Sequence, residues 1–321
     1  MKLIAFGCAL LLLCGVILEV FLRSVLELGT PLLYIADDQI GYLLAPNQAV
    51  RRRGNRIVVN RYSMRGEDVE PQRSPATLRI FLLGDSIANG GWWTPQDQTI
   101  SALSQKQWQN WAQEHKFTTT QVLNASANSW GPRNELAYLR QYGTFEAQVL
   151  ILLINTDDLF ATAPNPVKVG LDPNYPDRQP VLALGELYHR YLRARAVRPT
   201  LEALNQEKGD RVGFNLEAIQ RIEAIATQAN SQFILAHTPL LRELGTPGPR
   251  DYEIVARQRL TDLAQSQGWL YIDFLEPFNT TDAGDQLYWD HIHLNTTGNQ
   301  FVVEAIAKRA MILLESHFGS S

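Results

Sequence analysis

An α/β fold on a parallel sheet is what this sequence predicts, and three observations carry the prediction. After Ser74, short apolar runs alternate with amphipathic stretches of helical period, about five times over. The runs themselves, at 78–83, 121–123, 149–154, 233–236 and 270–272, are each followed by a turn. The intervening stretches supply the crossovers that parallel neighbours need, which covers the sheet on both faces. Such a sheet binds ligands beyond the carboxyl ends of its strands.

Taken in chain order, the first element is a membrane-spanning candidate. Lys2 precedes an unbroken apolar or glycine run over 3–18, followed by Glu19, Val20-Phe21-Leu22 and Arg23. At about 1.5 Å per residue, 3–22 reaches roughly 30 Å, enough to cross a bilayer with Glu19 near the head groups. Glu19, Phe21, Arg23 and Leu26 give no small-x-small cleavage site, and Leu13 before Cys14 gives no lipoprotein signal. An uncleaved transmembrane signal anchor over 1–27 is therefore expected. Lys2 favours a cytoplasmic start and an extracytoplasmic remainder, periplasmic or at the cell surface. From Tyr34 to about Ser74, turn and charge signals such as Asp37-Asp38, Pro46-Asn47 and Arg51-Arg52-Arg53-Gly54 dominate. Residues 28–76 read as a connecting segment packed on the domain, with the arginine triplet a solvated turn.

The domain proper is expected over 77–321. Between its strands, Ile100, Leu103, Trp108 and Trp111 fall on one helical face. So do Leu136, Leu139 and Tyr142; Leu216, Ile219, Ile222 and Ile225; Val255, Leu260 and Leu263; and Val302, Ile306, Ala310 and Leu313. Residues 156–182, with five prolines, form a long loop after the third strand and a candidate substrate cover.

Composition bounds the function. Lys and Arg total 29 against 33 Asp and Glu, a net charge of −4, so no bulk positive field attracts nucleic acid. Both cysteines, Cys8 and Cys14, lie in the apolar segment. The rest of the chain has no thiol for a disulfide, a nucleophile or a metal site.

The first strand runs into Leu82-Leu83-Gly84-Asp85-Ser86, which places a serine at the site face with backbone N–H groups nearby. A serine hydroxyl is a weak nucleophile until a base takes its proton. Of six histidines, His115 and His189 sit in charged helical stretches, His237 follows the fourth strand and His317 is in the tail. His291 and His293 belong to Tyr288-Trp289-Asp290-His291-Ile292-His293-Leu294-Asn295-Thr296. Asn295 or Thr296 can cap the last helix and hold this loop rigid. Asp290, three residues before His293, can accept from one ring nitrogen while the other faces the serine.

Gly-Asp-Ser after the first strand and Asp-x-x-His before the last helix resemble the SGNH, or GDSL-type, hydrolases over about 78–314. The resemblance implies a flavodoxin-like three-layer α/β/α sandwich with a five-stranded parallel sheet, and no cofactor. It implies Ser86 as nucleophile, His293 as general base and Asp290 as its orienting carboxylate, with Asp85 holding the turn. The family's oxyanion hole draws on the nucleophile's own N–H, a glycine and an asparagine. Ser126 stands for that glycine, and in Asn155-Thr156-Asp157-Asp158, Asn155 takes a glycine position and Asp157 the asparagine position. An ionised aspartate cannot donate to an oxyanion. Either Asp157 is protonated, or Asn155, Asn128 or Asn89 supplies the donor.

Trp92, Trp93 and Trp130 lie just beyond strand ends, where aromatic rings can stack on sugars; Trp92 and Trp130 are the substrate-binding candidates. A metal site at Asp290, His291 and His293 would leave Gly-Asp-Ser unexplained, so none is expected. The expected function is a membrane-anchored serine esterase removing an acyl group, acetyl by preference, from an extracytoplasmic saccharide or lipid. An O-acyltransferase of cell-surface polysaccharide and a catalytically weakened polysaccharide-binding envelope protein are the alternatives.

Overall fold

The computed structural model describes residues 1–281 and 284–318. Helix α1 (Lys2–Ser24) keeps its apolar side chains largely exposed and buries only Leu22. It is long and apolar enough to cross a membrane, as a membrane span or a signal sequence would be.

Two antiparallel hairpins follow: β1 (Tyr34–Asp37) with β2 (Gly41–Leu44), and β3 (Gln48–Arg52) with β4 (Asn55–Val59). Arg53 and Gly54, both at positive φ, make the tight turn of the second hairpin, matching strand twist as primed turns do. These strands were not expected in a connecting segment. They are short, and β2 is buried along its whole length, so no alternation of apolar and polar residues announces it. Tyr42, Leu43, Leu44, Ile57 and Val59 share one core with Phe81, Leu83, Leu150 and Leu152 of the main sheet.

That sheet comprises β5 (Thr77–Gly84), β6 (Thr119–Ser126), β7 (Val149–Asn155), β8 (Gln232–Thr238) and β9 (Leu270–Asp273). All pairings are parallel, in the order β6-β5-β7-β8-β9. β5 and β7 are buried throughout, as strands covered on both faces must be. Phe81 and Leu83 point to one layer, while Leu78, Ile80 and Leu82 point to the other. The short helix α2 (Ser86–Asn89) follows β5. Helices α3 (Ile100–Glu114) and α10 (Thr296–Phe318) cover the Ile80 face, and α4 (Pro132–Tyr142), α7 (Arg211–Gln228) and α8 (Asp251–Gln267) cover the other with the hairpins. Helices α5 (Ala183–Tyr188) and α6 (Ala194–Leu204), joined by π-helical residues 189–193, extend the charged helical stretch read around His189, and α9 (Leu275–Thr280) follows β9. The chain reverses its direction across the sheet between β5 and β7, so a crevice opens at their carboxyl ends.

The predicted faces of α3, α4, α7 and α10 are inward, and of the predicted α8 face Leu260 and Leu263 pack on the core while Val255 does not. Val255 is exposed, and Ala256 and Leu260 are buried. Beside Leu260, the inward positions nearer the start of α8 are taken by Glu253 and Arg257, which pair with Arg242, Glu243 and Asp273. The side chains of Leu313 and His317, and residues 319–321 of the expected domain, lie outside the described set.

Candidate active site

Ser86 opens α2 directly after β5. Asp85 caps that helix, accepting from Ile87 N at 2.8 Å, and also receives Asn155 Nδ2 at 2.8 Å and Ser86 Oγ at 3.2 Å. Burial pushes the Asp85 carboxyl above its ordinary value. α2 lasts one turn because Gly90 and Gly91 follow at φ 75° and 49°. A Cβ on Gly91 would stand 2.2 Å from the ring of Trp93, so glycine is what lets that ring fold back over the turn. The ring comes to rest 4.3 Å from the His293 imidazole, centroid to centroid.

The loop before α10 brings in the other partners. Asn295 caps α10 through Gly298 N and donates back to Gln286 O and Tyr288 O, and Trp289 N reaches His293 O at 2.7 Å. Within this closed loop, Asp290 Oδ1 accepts the N–H groups of Ile292 and His293 at 2.9 and 2.8 Å. Asp290 Oδ2 lies 2.8 Å from His293 Nδ1, and His293 Nε2 lies 2.9 Å from Ser86 Oγ. Burial acts to raise the Asp290 pKa, but the bonds from the His293 ring and the two backbone N–H groups outweigh it and hold the carboxyl below its ordinary value. A serine hydroxyl in contact with an imidazole that is itself fixed by a carboxylate can lose its proton as it attacks a carbonyl carbon.

Two cavities meet at Ser86, Ser129 and His293. The smaller, about 250 Å³, is walled by Tyr34, Tyr175, Trp92, Trp93, Arg52 and Asn128. The larger, about 470 Å³, is walled by Asn155, Asp157, Asn165, Lys168 and His291. Residues of the 156–182 loop border both. Ser129, between the cavities, is held at φ 56°, a conformation that non-glycine residues adopt at a cost. Tyr42 holds this turn by donating to Asn128 O and Ser129 O at 2.8 and 2.9 Å.

Ser126 ends β6, donates to Asn124 Oδ1, receives Asn89 Nδ2 and lines neither cavity. The Asn155 amide is committed to Asp85 and Asp158, and that of Asn89 to Ser126. Asn128, by contrast, has a buried Oδ1 without a hydrogen-bond partner among the described residues. Asp157 stands exposed in the wall of the larger cavity; partial desolvation, with Glu253 and Glu243 nearby, raises its pKa against the opposing charges of Arg242 and His291. Trp92 lines the smaller cavity, with Arg53 4.5 Å above its ring. Trp130 is corrected: it is buried in the core, its Nε1 donating to Tyr42 O at 2.9 Å, and it touches neither cavity. His291 is exposed, and among the described residues no group of His, Cys, Asp and Glu could hold a metal ion.

Sequence reasoning missed the supports. Arg65 is buried and clamps the turn after Ser86, donating to Asn89 O, Gly91 O and Thr94 O at 2.5, 2.6 and 2.9 Å. Glu135, fully buried with both carboxyl oxygens unpartnered among the described residues, is pushed well above its ordinary pKa by burial and by Asp85. Neither has a sequence signal, since the groups they face come from other elements.

The model of the GDSL-like lipase/acylhydrolase family matches residues 82–301. The chain belongs to that family. It is an ester-bond hydrolase. No curated protein matches the sequence. Solved structures similar to it include an acetyl xylan esterase, at 13% identity and a TM-score of 0.48 over 72% of this chain and 98% of the other. An acetylxylan esterase from Geobacillus stearothermophilus matches at 13% and 0.48 over 72% and 92%. A lipase/acylhydrolase from Enterococcus faecalis matches at 12% and 0.44 over 73% and 95%.

Proposed function

We propose that this GDSL hydrolase is a membrane-anchored serine esterase that removes an acyl group, acetyl in the first instance, from an extracytoplasmic saccharide or lipid. The observation that carries the reading is the unbroken chain from Ser86 Oγ through His293 to Asp290, at 2.9 and 2.8 Å, where two cavities meet. One cavity takes the acyl part of the ester and the other the alcohol part.

Ser86 Oγ attacks the ester carbonyl while His293 Nε2 takes the hydroxyl proton. The tetrahedral oxyanion is met by the Ser86 N–H and, from the turn after β6, by the side-chain NH₂ of Asn128, which lines the smaller cavity together with Ser86. Collapse expels the alcohol, which receives the proton from His293. Water then attacks the acyl-enzyme, giving up a proton to the same nitrogen, and releases the acid and free serine. Asp290 keeps Nδ1 protonated and steadies the imidazolium.

The test is turnover of a chromogenic acetyl ester by the purified full chain. Turnover lost in Ser86→Ala supports the reading; equal turnover in both proteins, or none in either, refutes it. Free acetate as the product, with none passed to an added oligosaccharide, separates hydrolysis from acyl transfer.

A further inference from the structure

The base of α1 is not a free tether. Glu19 accepts the backbone N–H groups of Ala183 and Leu184 at 2.7 and 3.3 Å, and Arg23 donates to Val181 O at 2.9 Å. Further on, Glu186 receives Gly29 N at 2.7 Å and Arg52, and Arg51 pairs with Glu27. The helical run 183–204 and the β3–β4 hairpin are thereby fixed beside the end of α1. Residues 3–18 account for roughly 24 Å of apolar helix, so Glu19 and whatever bonds to it stand at head-group depth once α1 spans a bilayer.

What is fixed there is suited to that depth. Val181 is 91% exposed, Tyr191 70%, Leu192 59% and Tyr188 57%. Leu184 is 49% exposed as well, so the run presents four large apolar or tyrosine side chains between 184 and 192 to the outside. The run carries four arginines against two glutamates in a chain of net charge −4; Arg190 pairs with Glu186, which also holds Arg52, and Arg198 pairs with Glu202, which leaves Arg193 and Arg195 as its excess charge. An exposed apolar face with interfacial tyrosines and an arginine-rich flank is what an in-plane membrane helix presents.

We propose that residues 181–204 lie in the head-group layer of an anionic bilayer, as a second membrane contact beside α1. The occupant of this face is lipid because the face is continuous with the base of the spanning helix and its excess charge is positive. The proposal rests on α1 being a membrane span. It has a consequence for the substrate: Pro31, Pro176 and Arg190 border both the Ser86 cavity and the groove over this segment. The mouth of the site therefore faces the lipid, and the ester it takes is borne on an amphiphile in the membrane plane.

The test uses the full chain reconstituted in vesicles containing phosphatidylglycerol. An environment-sensitive fluorophore is placed at Leu192→Cys in a Cys8→Ser, Cys14→Ser background, at the native Cys14 with Cys8→Ser, or at exposed Glu304→Cys on α10 in the same cysteine-free background. The expected result is blue-shifted emission quenched by doxyl lipids at positions 14 and 192 and not at 304, with quenching at 192 reduced in Arg193→Gln/Arg195→Gln. Quenching at 14 with a water-like probe at 192 overturns the proposal and leaves the anchor intact. A water-like probe at both overturns the anchor and the proposal together. A blue-shifted probe at 192 that doxyl lipids do not quench puts a second copy of the chain there and overturns it as well. Ester turnover in detergent does not depend on any of these outcomes.

Discussion

Asp290→Asn isolates the carboxylate's role from its structural one. Asp290 Oδ1 accepts the N–H groups of Ile292 and His293, and an asparagine Oδ1 can accept both in the same place. The loop fold should therefore survive. At the other oxygen, 2.8 Å from His293 Nδ1, asparagine puts an NH₂ group, which can only donate. Nδ1 must then become the acceptor, which moves the ring proton to Nε2. In that tautomer Nε2 faces Ser86 Oγ with a hydrogen where a lone pair is needed. The loss expected in kcat for such a tautomer error is about 10⁴-fold. KM and Tm should stay close to wild type, because neither cavity nor core changes. The assay is steady-state turnover of a chromogenic acetyl ester with thermal unfolding measured in parallel. A kcat within tenfold of wild type refutes the assignment of Asp290 as the group that sets the His293 tautomer.

Three further outcomes are expected. Asp157→Asn converts an acceptor in the cavity wall into a potential oxyanion donor and should raise kcat, by up to about 100-fold if the side chain faces the oxyanion; a fall in rate removes Asp157 from that role. Arg65→Met leaves the carbonyls of Asn89, Gly91 and Thr94 without their donor, and part of that cost is offset because a buried guanidinium with a pKa held down to about 10 by burial is also removed. The net loss should be about 2–4 kcal/mol, or roughly 5–15 °C in Tm, with a drop in kcat as the Trp93 turn loosens, and an unchanged Tm refutes the clamp. Glu135 binds its proton more tightly folded than unfolded, so its contribution to stability is complete below about pH 4.3 and is lost as pH rises through the raised folded value. Glu135→Gln does not titrate, so its Tm should gain on wild type from acid to alkaline pH; parallel curves rule this out.

The five strands and the serine-histidine-aspartate set were legible because each is written locally. A buried strand is an apolar run, the Asp290 and His293 pair sits within one loop, and Gly-Asp-Ser occupies one turn. What stayed hidden depends on partners far along the chain. Trp130 reads as a rim residue until β2 offers its indole a carbonyl, and Val255 of α8 is misread as inward because Glu253, Ala256 and Arg257 take the buried positions near it. Ser126 stands at the end of its strand as expected, but its hydroxyl is taken up by Asn124 and Asn89, and the next turn reaches the cavity instead. The hairpins of 34–59 escaped because four- and five-residue strands give too little periodicity to read.

The bonds from Glu19 and Glu186 to the body of the protein bear on how far the enzyme can reach. A catalytic domain on a slack leash sweeps a hemisphere, and its effective concentration over any target falls as the leash lengthens. Here Glu19 holds Ala183, and Gly29, five residues past the end of α1, is already bound to Glu186. With α1 in a bilayer, Ser86 would ride at one constant height and reach new substrate by lateral diffusion of the whole molecule, as a fixed blade does when the surface is moved beneath it.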